Sequence, residues 1–289
     1  MILVTTDGSR RAKLVLPHAV HLAQALGVGL RLIRVLDPRA DVADEYAPTV
    51  AEATERVATR WRSEMQSAVT GLSVPTSVEV VMKERREDLA DAILRAAMTA
   101  RARMIAMSTR GAGLVSTAVL GSVATTALRK SSVPLLLTGP KTRPPTGSLP
   151  AHLLITTDGS GAAESILPAL RDTLAGAPAD GVRLTLFRAY AAKAGDPDAA
   201  TTAERCQQQL NAFKRRAPRR FPIATEVRDQ RRGQDAYRTI VAAAREQGVS
   251  AIWIATHGHS FRRRILLGSV ALSTVGESPI PVILTRAAM

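Results

Sequence analysis

Short apolar runs alternate along the chain with longer segments in which apolar residues recur at helical spacing. The run at 2–6 has the composition of a buried strand, and residues 14–26 show the helical period. The same alternation continues to an apolar run at 133–138, in the order βαβαβαβαβ. Strands that alternate with helices are typical of a parallel sheet covered by helices on both faces. The pattern therefore predicts the α/β class.

The second half of the chain repeats the landmarks of the first half in the same order. Asp7-Gly8-Ser9 recurs at 158–160, Gly121-Ser122 recurs at 268–269, and the closing apolar run recurs at 280–285. A repeat of this length indicates a duplicated domain rather than a solenoid unit. We predict two tandem five-stranded parallel-sheet domains, at 1–139 and 151–289, joined by a proline-rich linker at 140–150.

Two details of this outline concern the starts of helices. Ser9 and Ser122 each stand where a helix is expected to begin, so their hydroxyl groups are predicted to cap those helices. Pro17 and Pro168 fall inside the predicted first helix of each half. A proline there either kinks the helix or delays its start, and the sequence leaves both alternatives open.

The composition narrows the environment and the partners. Hydrophobic residues make up 46% of the chain and aromatic residues only 3%, so we expect a sizeable aliphatic core. A single cysteine excludes an internal disulfide, and the start of the chain has no signal-peptide pattern, so we expect a cytoplasmic protein. No apolar stretch approaches the ~20 residues of a membrane span, so a membrane is not an expected partner. The net charge of +14 attracts polyanions such as nucleotides or nucleic acid without choosing among them.

A glycine frame follows the fourth predicted strand of each half. Nine residues separate Gly111 from Gly121-Ser122, and nine residues separate Gly258 from Gly268-Ser269. In a parallel sheet, ligands bind beyond the carboxyl ends of the strands. Glycine there lets backbone amides approach an anion, and a helix start favours negative charge. Asp7 ends the first strand at the same edge, where its carboxylate can accept from a ribose or a base, or reach a metal.

Taken together, Gly-x2-Gly-x9-Gly-Ser after an apolar fourth strand, with Asp at the end of the first strand, resembles the motif of the universal stress protein family. "VLGSVATTALRKSSVPLLL", and "ATHGHS" with "LLGSV", are similar to the family's own sequences, and the resemblance covers both halves. It implies a Rossmann-like fold of the adenine nucleotide alpha hydrolase type, with the final strands pairing the two domains as an intramolecular pseudo-dimer. One branch of the family binds ATP, usually with a divalent ion such as Mg2+, and another branch binds no nucleotide.

The resemblance also implies a set of adenosine and phosphate contacts in each half. The front set is Thr6, Asp7, Ser108, Arg110, Gly111, Gly121, Ser122 and Val123. The rear set is Thr157, Asp158, Ala255, His257, Gly258, Gly268, Ser269 and Val270. Ser108 and Ala255 depart from the family pattern, because each replaces the first glycine of the motif and adds a Cβ that narrows the approach to the ligand. The nine-residue segments of the two glycine frames differ, because only the rear one, at 259–267, carries arginines. These arginines, at 262–264, can clamp terminal phosphates or stay solvated.

No catalytic set stands out in the sequence. The chain has neither a Gly-x-Ser-x-Gly nucleophile elbow nor a Walker A motif, so we expect a binding protein rather than an enzyme, with slow ATP hydrolysis left open. His18 and His21 are spaced as a metal pair on a predicted helix. No acidic partner accompanies them at metal-site spacing, so no metal site is predicted.

Three interpretations of the function follow. The first is an adenine-nucleotide-binding stress protein that acts as a sensor or regulator, with a further homodimer left open. The second is a family member that binds no nucleotide and acts through protein–protein interaction. The third, which we expect least, is a nucleic-acid contact through the segment at 213–221, where phenylalanines interleave with basic residues.

Overall fold

The chain folds into one continuous ten-stranded sheet with helices on both faces. The computed structural model describes residues 1–109, 120–160, 165–191, 199–230, 234–256 and 268–286. The strands are β1 (Ile2–Thr5), β2 (Leu30–Leu36), β3 (Thr76–Met82), β4 (Met104–Ser108), β5 (Leu135–Thr138), β6 (Ala151–Thr156), β7 (Val182–Tyr190), β8 (Ile223–Asp229), β9 (Ala251–Thr256) and β10 (Val282–Arg286). The helices are α1 (Arg10–Lys13), α2 (Val15–Leu26), α3 (Val50–Val69), α4 (Leu89–Thr99), α5 (Ser122–Lys130), α6 (Ile166–Leu174), α7 (Ala199–Arg216), α8 (Ala236–Glu246) and α9 (Ser269–Glu277).

The order of the strands divides the sheet into two equivalent halves. The order is β3-β2-β1-β4-β5-β10-β9-β6-β7-β8, and neighbours within each half are parallel. The register is equivalent as well, because Ile2 lies opposite Met104 in the front half and Leu153 lies opposite Ala251 in the rear half. The predicted fold class, two tandem five-stranded parallel-sheet domains, is confirmed. Residues 139–150 contain neither helix nor strand, and the proposed domain boundaries stay a prediction.

The two halves meet edge to edge through their last strands. β5 and β10 pair antiparallel, with Leu136 opposite Ile283, and both side chains are completely buried. Arg286 of β10 also donates through Nη1 to the carbonyl oxygen of Arg129, at the end of α5, over 2.6 Å. This shared edge makes the two halves an intramolecular pseudo-dimer.

Alternate residues of the central strands supply two aliphatic cores. Ile2 and Val4 belong to the core under α2, α3, α6 and α7, whereas Leu3 belongs to the core under α4, α5, α8 and α9. Both faces of the central strands are thus covered, which is why β6 and β9 are buried at every residue and are mostly apolar in sequence. Within the described residues, no helix combines the length and the apolar character needed to cross a bilayer.

Each proline lies in the first turn of its helix, and in the front half the short helix α1 ends just before that turn. α1 ends at Lys13 and α2 begins at Val15, so that Pro17 is the third residue of α2. Pro168 is likewise the third residue of α6. A proline is tolerated in the first turn because the N–H that it lacks would have no partner within the helix.

The two predicted serine caps have different outcomes. Ser9 caps α1, with its Oγ accepting from the N–H of Ala12 over 3.2 Å, as predicted. The prediction for Ser122 is wrong, because Gly121 is the N-cap of α5 and Ser122 is the first helical residue. The reason is a backbone contact, in which the N–H of Gly121 donates to the carbonyl oxygen of Thr109 over 2.7 Å and fixes the helix start one residue earlier.

Candidate functional site

The turn after the first strand of each half is closed by its own aspartate. Asp7 Oδ1 and Asp158 Oδ1 each accept, over 2.9 Å, from the backbone N–H two residues further along the chain. Gly8 and Gly159 adopt left-handed backbone angles, with φ of 81° and 77°, that strain any other residue. The two turns thus present an exposed aspartate at the carboxyl edge of the sheet in the same local conformation.

The helix after the fourth strand begins at this same edge. Gly121 and Gly268 are the N-caps of α5 and α9, and neither helix has a side-chain cap. The first N–H groups of such a helix have no acceptor within the helix, and the helix dipole makes them attractive to an anion. Ser122 and Ser269 open the two helices and are exposed. The edge therefore offers backbone donors and a hydroxyl group next to a positive helix end.

In the rear half, the aspartate turn and the helix start line a single cavity. Its volume is about 180 Å3. Pockets that enclose a whole small molecule measure roughly 300–1,000 Å3, so a ligand of that size would fill this cavity and extend out of it. The predicted residues that line it are Thr157, Asp158, Ala255, Gly268, Ser269 and Val270. The structure thus gathers one side of the predicted rear site around one space, and the roles of these residues stay a prediction.

The front half places its predicted residues on the equivalent elements. Thr6 and Asp7 lie in the turn after β1, where Thr6 Oγ1 accepts from the N–H of Gly8 over 3.1 Å. Ser108 ends β4, the neighbour of β1, and Gly121, Ser122 and Val123 open α5. The remaining predicted contacts lie outside the described residues: Arg110, Gly111, His257 and Gly258, together with Arg262, Arg263 and Arg264.

An arginine next to each aspartate turn was missed by the sequence reasoning. The Arg34 guanidinium lies so close to Gly8 that a Cβ built there would approach Nη1 to 2.8 Å. The same guanidinium stands 3.4 Å from the Trp61 ring centroid and 3.4 Å from Glu64 Oε2. Burial lowers the pKa of Arg34 below its ordinary value, while Glu64 and other carboxylates oppose that shift.

The rear half repeats this arrangement with a different partner. Arg188 follows Phe187 in β7 as Arg34 follows Ile33 in β2, and both of those residues lie opposite the last threonine of the first strand of their half. Its guanidinium lies over Gly159 and donates to Gln209 Oε1. The signal that could have found both arginines is their recurrence at one position of the repeat.

The apolar floor of the rear cavity was also missed. Ala189, Ile240 and Ile254 come from β7, α8 and β9, and all three belong to one aliphatic core. Sequence patterning assigns such residues to the core and does not reveal which of them face a cavity. A floor of this kind suits the flat face of a base or another apolar group.

Two other candidate features have structural roles. His18 and His21 are buried, and their Nε2 atoms form hydrogen bonds with the carbonyl oxygen of Arg143 at 2.8 Å and with Ser250 Oγ at 2.9 Å. Phe213 and Phe221 are buried in the core, so the segment at 213–221 presents no aromatic surface to nucleic acid. Among the described residues there is no group of three or more histidine, cysteine, aspartate or glutamate side chains that could hold a metal ion.

Two matched five-stranded α/β halves in one sheet, each with an aspartate turn and a glycine-capped helix at the carboxyl edge, define a tandem Rossmann-like protein. The model of the universal stress protein family matches residues 1–139 and 151–286, so the chain belongs to that family and carries its domain twice.

Relatives and solved structures agree with this assignment. A universal stress protein of Thermus aquaticus is 33% identical over 136 residues, which is 47% of this chain and 96% of that protein. A universal stress protein from Archaeoglobus fulgidus has the same fold, with a TM-score of 0.67 at 18% identity over 99% of this chain and 98% of its own. A universal stress protein in complex with cAMP covers 47% of this chain and 94% of its own, at 19% identity and a TM-score of 0.36, which is too distant to bear on the ligand of this chain.

Proposed function

We propose that this universal stress protein binds an adenine nucleotide, ATP in the first instance, at the carboxyl edge of its halves and acts as a cytoplasmic sensor or regulator. The observation that carries the proposal is the rear cavity, in which Asp158, the helix start at Gly268-Ser269 and an apolar floor line one space. This combination suits a molecule with an apolar ring, a hydroxylated sugar and an anionic tail.

Each part of the nucleotide has a matching set of groups. The base would lie on Ala189, Ile240 and Ile254, and the ribose hydroxyl groups would donate to Asp158. The phosphates would accept from the first amides of α9 and from the hydroxyl of Ser269. The front half offers Asp7 and the start of α5 for the same purposes.

The proposal includes no protein-held metal. The described residues contain no group of three or more metal-ligating side chains that could hold an ion without the nucleotide. An ion that accompanies the nucleotide would be held by the phosphate oxygens. We also propose binding rather than turnover, because the chain has neither a nucleophile elbow nor a Walker A motif, and Asp158, the one ionisable side chain among the described residues that line the rear cavity, is assigned to the ribose.

Calorimetric titration of ATP into the intact chain and into two valine variants tests the proposal. Gly121 and Gly268 have φ of −71° and −60°, so a valine can adopt the backbone angles of both. A Cβ at Gly121 would stand 3.2 Å from the carbonyl oxygen of Thr109, a contact that a few tenths of an ångström relieve. The added methyl groups would occupy the phosphate position.

We expect Gly121→Val and Gly268→Val each to remove binding at its own half, and the double variant to bind no ATP. An unaltered thermal unfolding midpoint would show that the fold is kept. Undiminished ATP stoichiometry in the double variant would contradict the placement of the phosphates. Absence of binding by the intact chain would favour the second interpretation, in which the Cβ atoms of Ser108 and Ala255 block the sites and the protein acts through protein–protein interaction.

A further inference from the structure

A second pocket, the junction pocket, lies between the two halves at the amino ends of β9 and β10. Its volume is about 240 Å3. Four parts of the chain form its walls: His18 and His21 of α2, the linker segment 143–147, the end of α8 with the turn after it at 245–250, and the turn at 279–281. The candidate nucleotide sites lie at the opposite, carboxyl edge of the strands, so the junction pocket is separate from them.

The chemistry of this pocket is not repeated on the pseudo-equivalent side of the junction. When α2 and α6 are aligned on Pro17 and Pro168, the equivalents of His18 and His21 are Ala169 and Asp172. The equivalent of Ser250 is Arg103, whose guanidinium is engaged with the carbonyl oxygen of Ala175. The linker crosses only one side. The pocket therefore depends on residues and on a linker that the described part of the repeat does not duplicate.

The charged side chains that line the pocket are all cationic. Arg143 and Arg245 line it, both are exposed, and neither forms an ion pair with any described residue. No aspartate or glutamate of the described part of the chain belongs to the lining. Two guanidinium groups without carboxylate partners favour an anion, and their planar donor sets match carboxylate and phosphate oxygens.

The histidines give the inner wall an uncharged character. His18 donates through Nε2–H to the carbonyl oxygen of Arg143, which fixes the tautomer of the neutral ring. Burial lowers the pKa of His18 to about 4, and burial also lowers the pKa of His21, so both rings are neutral at pH 7. Together with Pro144, Pro279 and Pro281 they form a wall suited to an apolar body.

We propose that the junction pocket binds a small organic anion, with a carboxylate or phosphate head group held by Arg143 and Arg245 and a compact apolar body against the histidine rings and prolines. Such a ligand contacts α2, the linker and the rear half at once. Its binding therefore stabilises the junction of the two domains.

Titration of the full chain, labelled with 15N and 13C in its histidines, tests this proposal by NMR. The probes are benzoate, phenyl phosphate and, as the uncharged control, phenol. We expect saturable shifts of the His18 and His21 ring signals, assigned with His18→Gln and His21→Gln, for at least one anion and not for phenol. The anion that produces these shifts, benzoate or phenyl phosphate, identifies the head group as a carboxylate or a phosphate. The rings of His257 and His259, beside the rear glycine frame in sequence, report separately on binding at the candidate nucleotide site.

A double variant and a charge-matched control decide whether the two arginines hold the anion. Arg143→Gln with Arg245→Gln should weaken the responding probe by about tenfold or more, since it removes charge-assisted hydrogen bonds. Arg62→Gln with Arg215→Gln removes two exposed arginines far from the pocket in sequence and should leave the affinity unchanged. Unaltered affinity in the first double variant, or no saturable shift of His18 and His21 with either anion, would overturn the proposal.

Discussion

Arg34 shows how one side chain connects the candidate site to the core. It lies over Gly8 in the aspartate turn and stacks on Trp61. Trp61 belongs to α3 and packs in one cluster with Leu36, the last residue of β2. Only 18% of its side chain is exposed, so its interactions with the ring and with Glu64 are less screened than those of a surface pair. The turn that presents Asp7 is therefore held from the core side.

We expect Arg34→Gln to lower the free energy of unfolding by about 1–2 kcal/mol, through loss of the cation–π contact and the ion pair. Arg188→Gln is the matched control, because Arg188 occupies the same position of the repeat and its described partner is the amide of Gln209. Urea denaturation at pH 7 measures both effects. Equal losses in the two variants would contradict a special role of Trp61.

At the residue scale, the sequence could reveal the groups that the repeat marks twice. Asp7 and Asp158 stand in duplicated turns, and the structure gives both the same hydrogen bond. Arg34 could not be assigned, because its contact with Trp61 joins β2 to α3 and depends on how the helix packs. The same holds for Ile240, which is indistinguishable in sequence from any buried helix residue.

At the scale of elements, helix starts separate what local sequence decides from what the tertiary fold decides. Strands and helices were predictable because their apolar periods differ, and the structure keeps their order. The N-cap of α5 could not be predicted from local sequence. The hydrogen bond from the N–H of Gly121 to the carbonyl oxygen of Thr109 joins the helix start to the residue after β4, which is ten or more positions away along the chain. Ser9 was predictable because its cap is a contact over three residues.

A pair of serine variants tests this distinction. Ser9→Ala removes the side-chain cap of α1 and should cost about 1 kcal/mol of stability. Ser122→Ala removes no cap and should change stability by less than about 0.5 kcal/mol, while it weakens ATP binding at the front half. Thermal unfolding and ATP titration measure the two effects. A loss of stability in Ser122→Ala equal to that in Ser9→Ala would contradict the assignment of Gly121 as the cap.

At the scale of the whole molecule, buried histidines tie the two halves together. His18 and His21 reach from α2 to the linker and to the rear half. His152, at the start of the rear sheet, is also buried and forms a hydrogen bond with Thr185 Oγ1 over 2.8 Å. Burial lowers the pKa of all three rings, so protonation of His18 and His21 acts against the junction and protonation of His152 acts against the rear half.

The stability of the chain should accordingly fall as the pH drops from about 6.5 to about 4. In this range the unfolded chain protonates His18 near its ordinary pKa of 6.5, whereas the folded chain keeps the ring neutral down to about 4. The unfolded state then binds more protons and is favoured, by roughly 3 kcal/mol for His18 at the lower end. Above pH 6.5 both states are neutral and the effect vanishes.

His18→Gln provides the control, because glutamine can still donate to the carbonyl oxygen of Arg143 and does not titrate. Urea denaturation at several pH values should show a shallower decline of stability between pH 6.5 and 4 in this variant than in the unsubstituted chain. Identical pH dependence of stability in the two proteins would show that His18 does not cause the decline.

The most direct test of the central claim, that the protein binds adenine nucleotide, is to measure what it carries from the cell. The protein is purified without added nucleotide and denatured, and the supernatant is analysed by anion-exchange chromatography against an ATP standard. We predict about one or two adenine nucleotides per chain, the number of matched sites that are occupied. A supernatant without nucleotide, followed by no heat on titration of ATP with Mg2+, would contradict the claim.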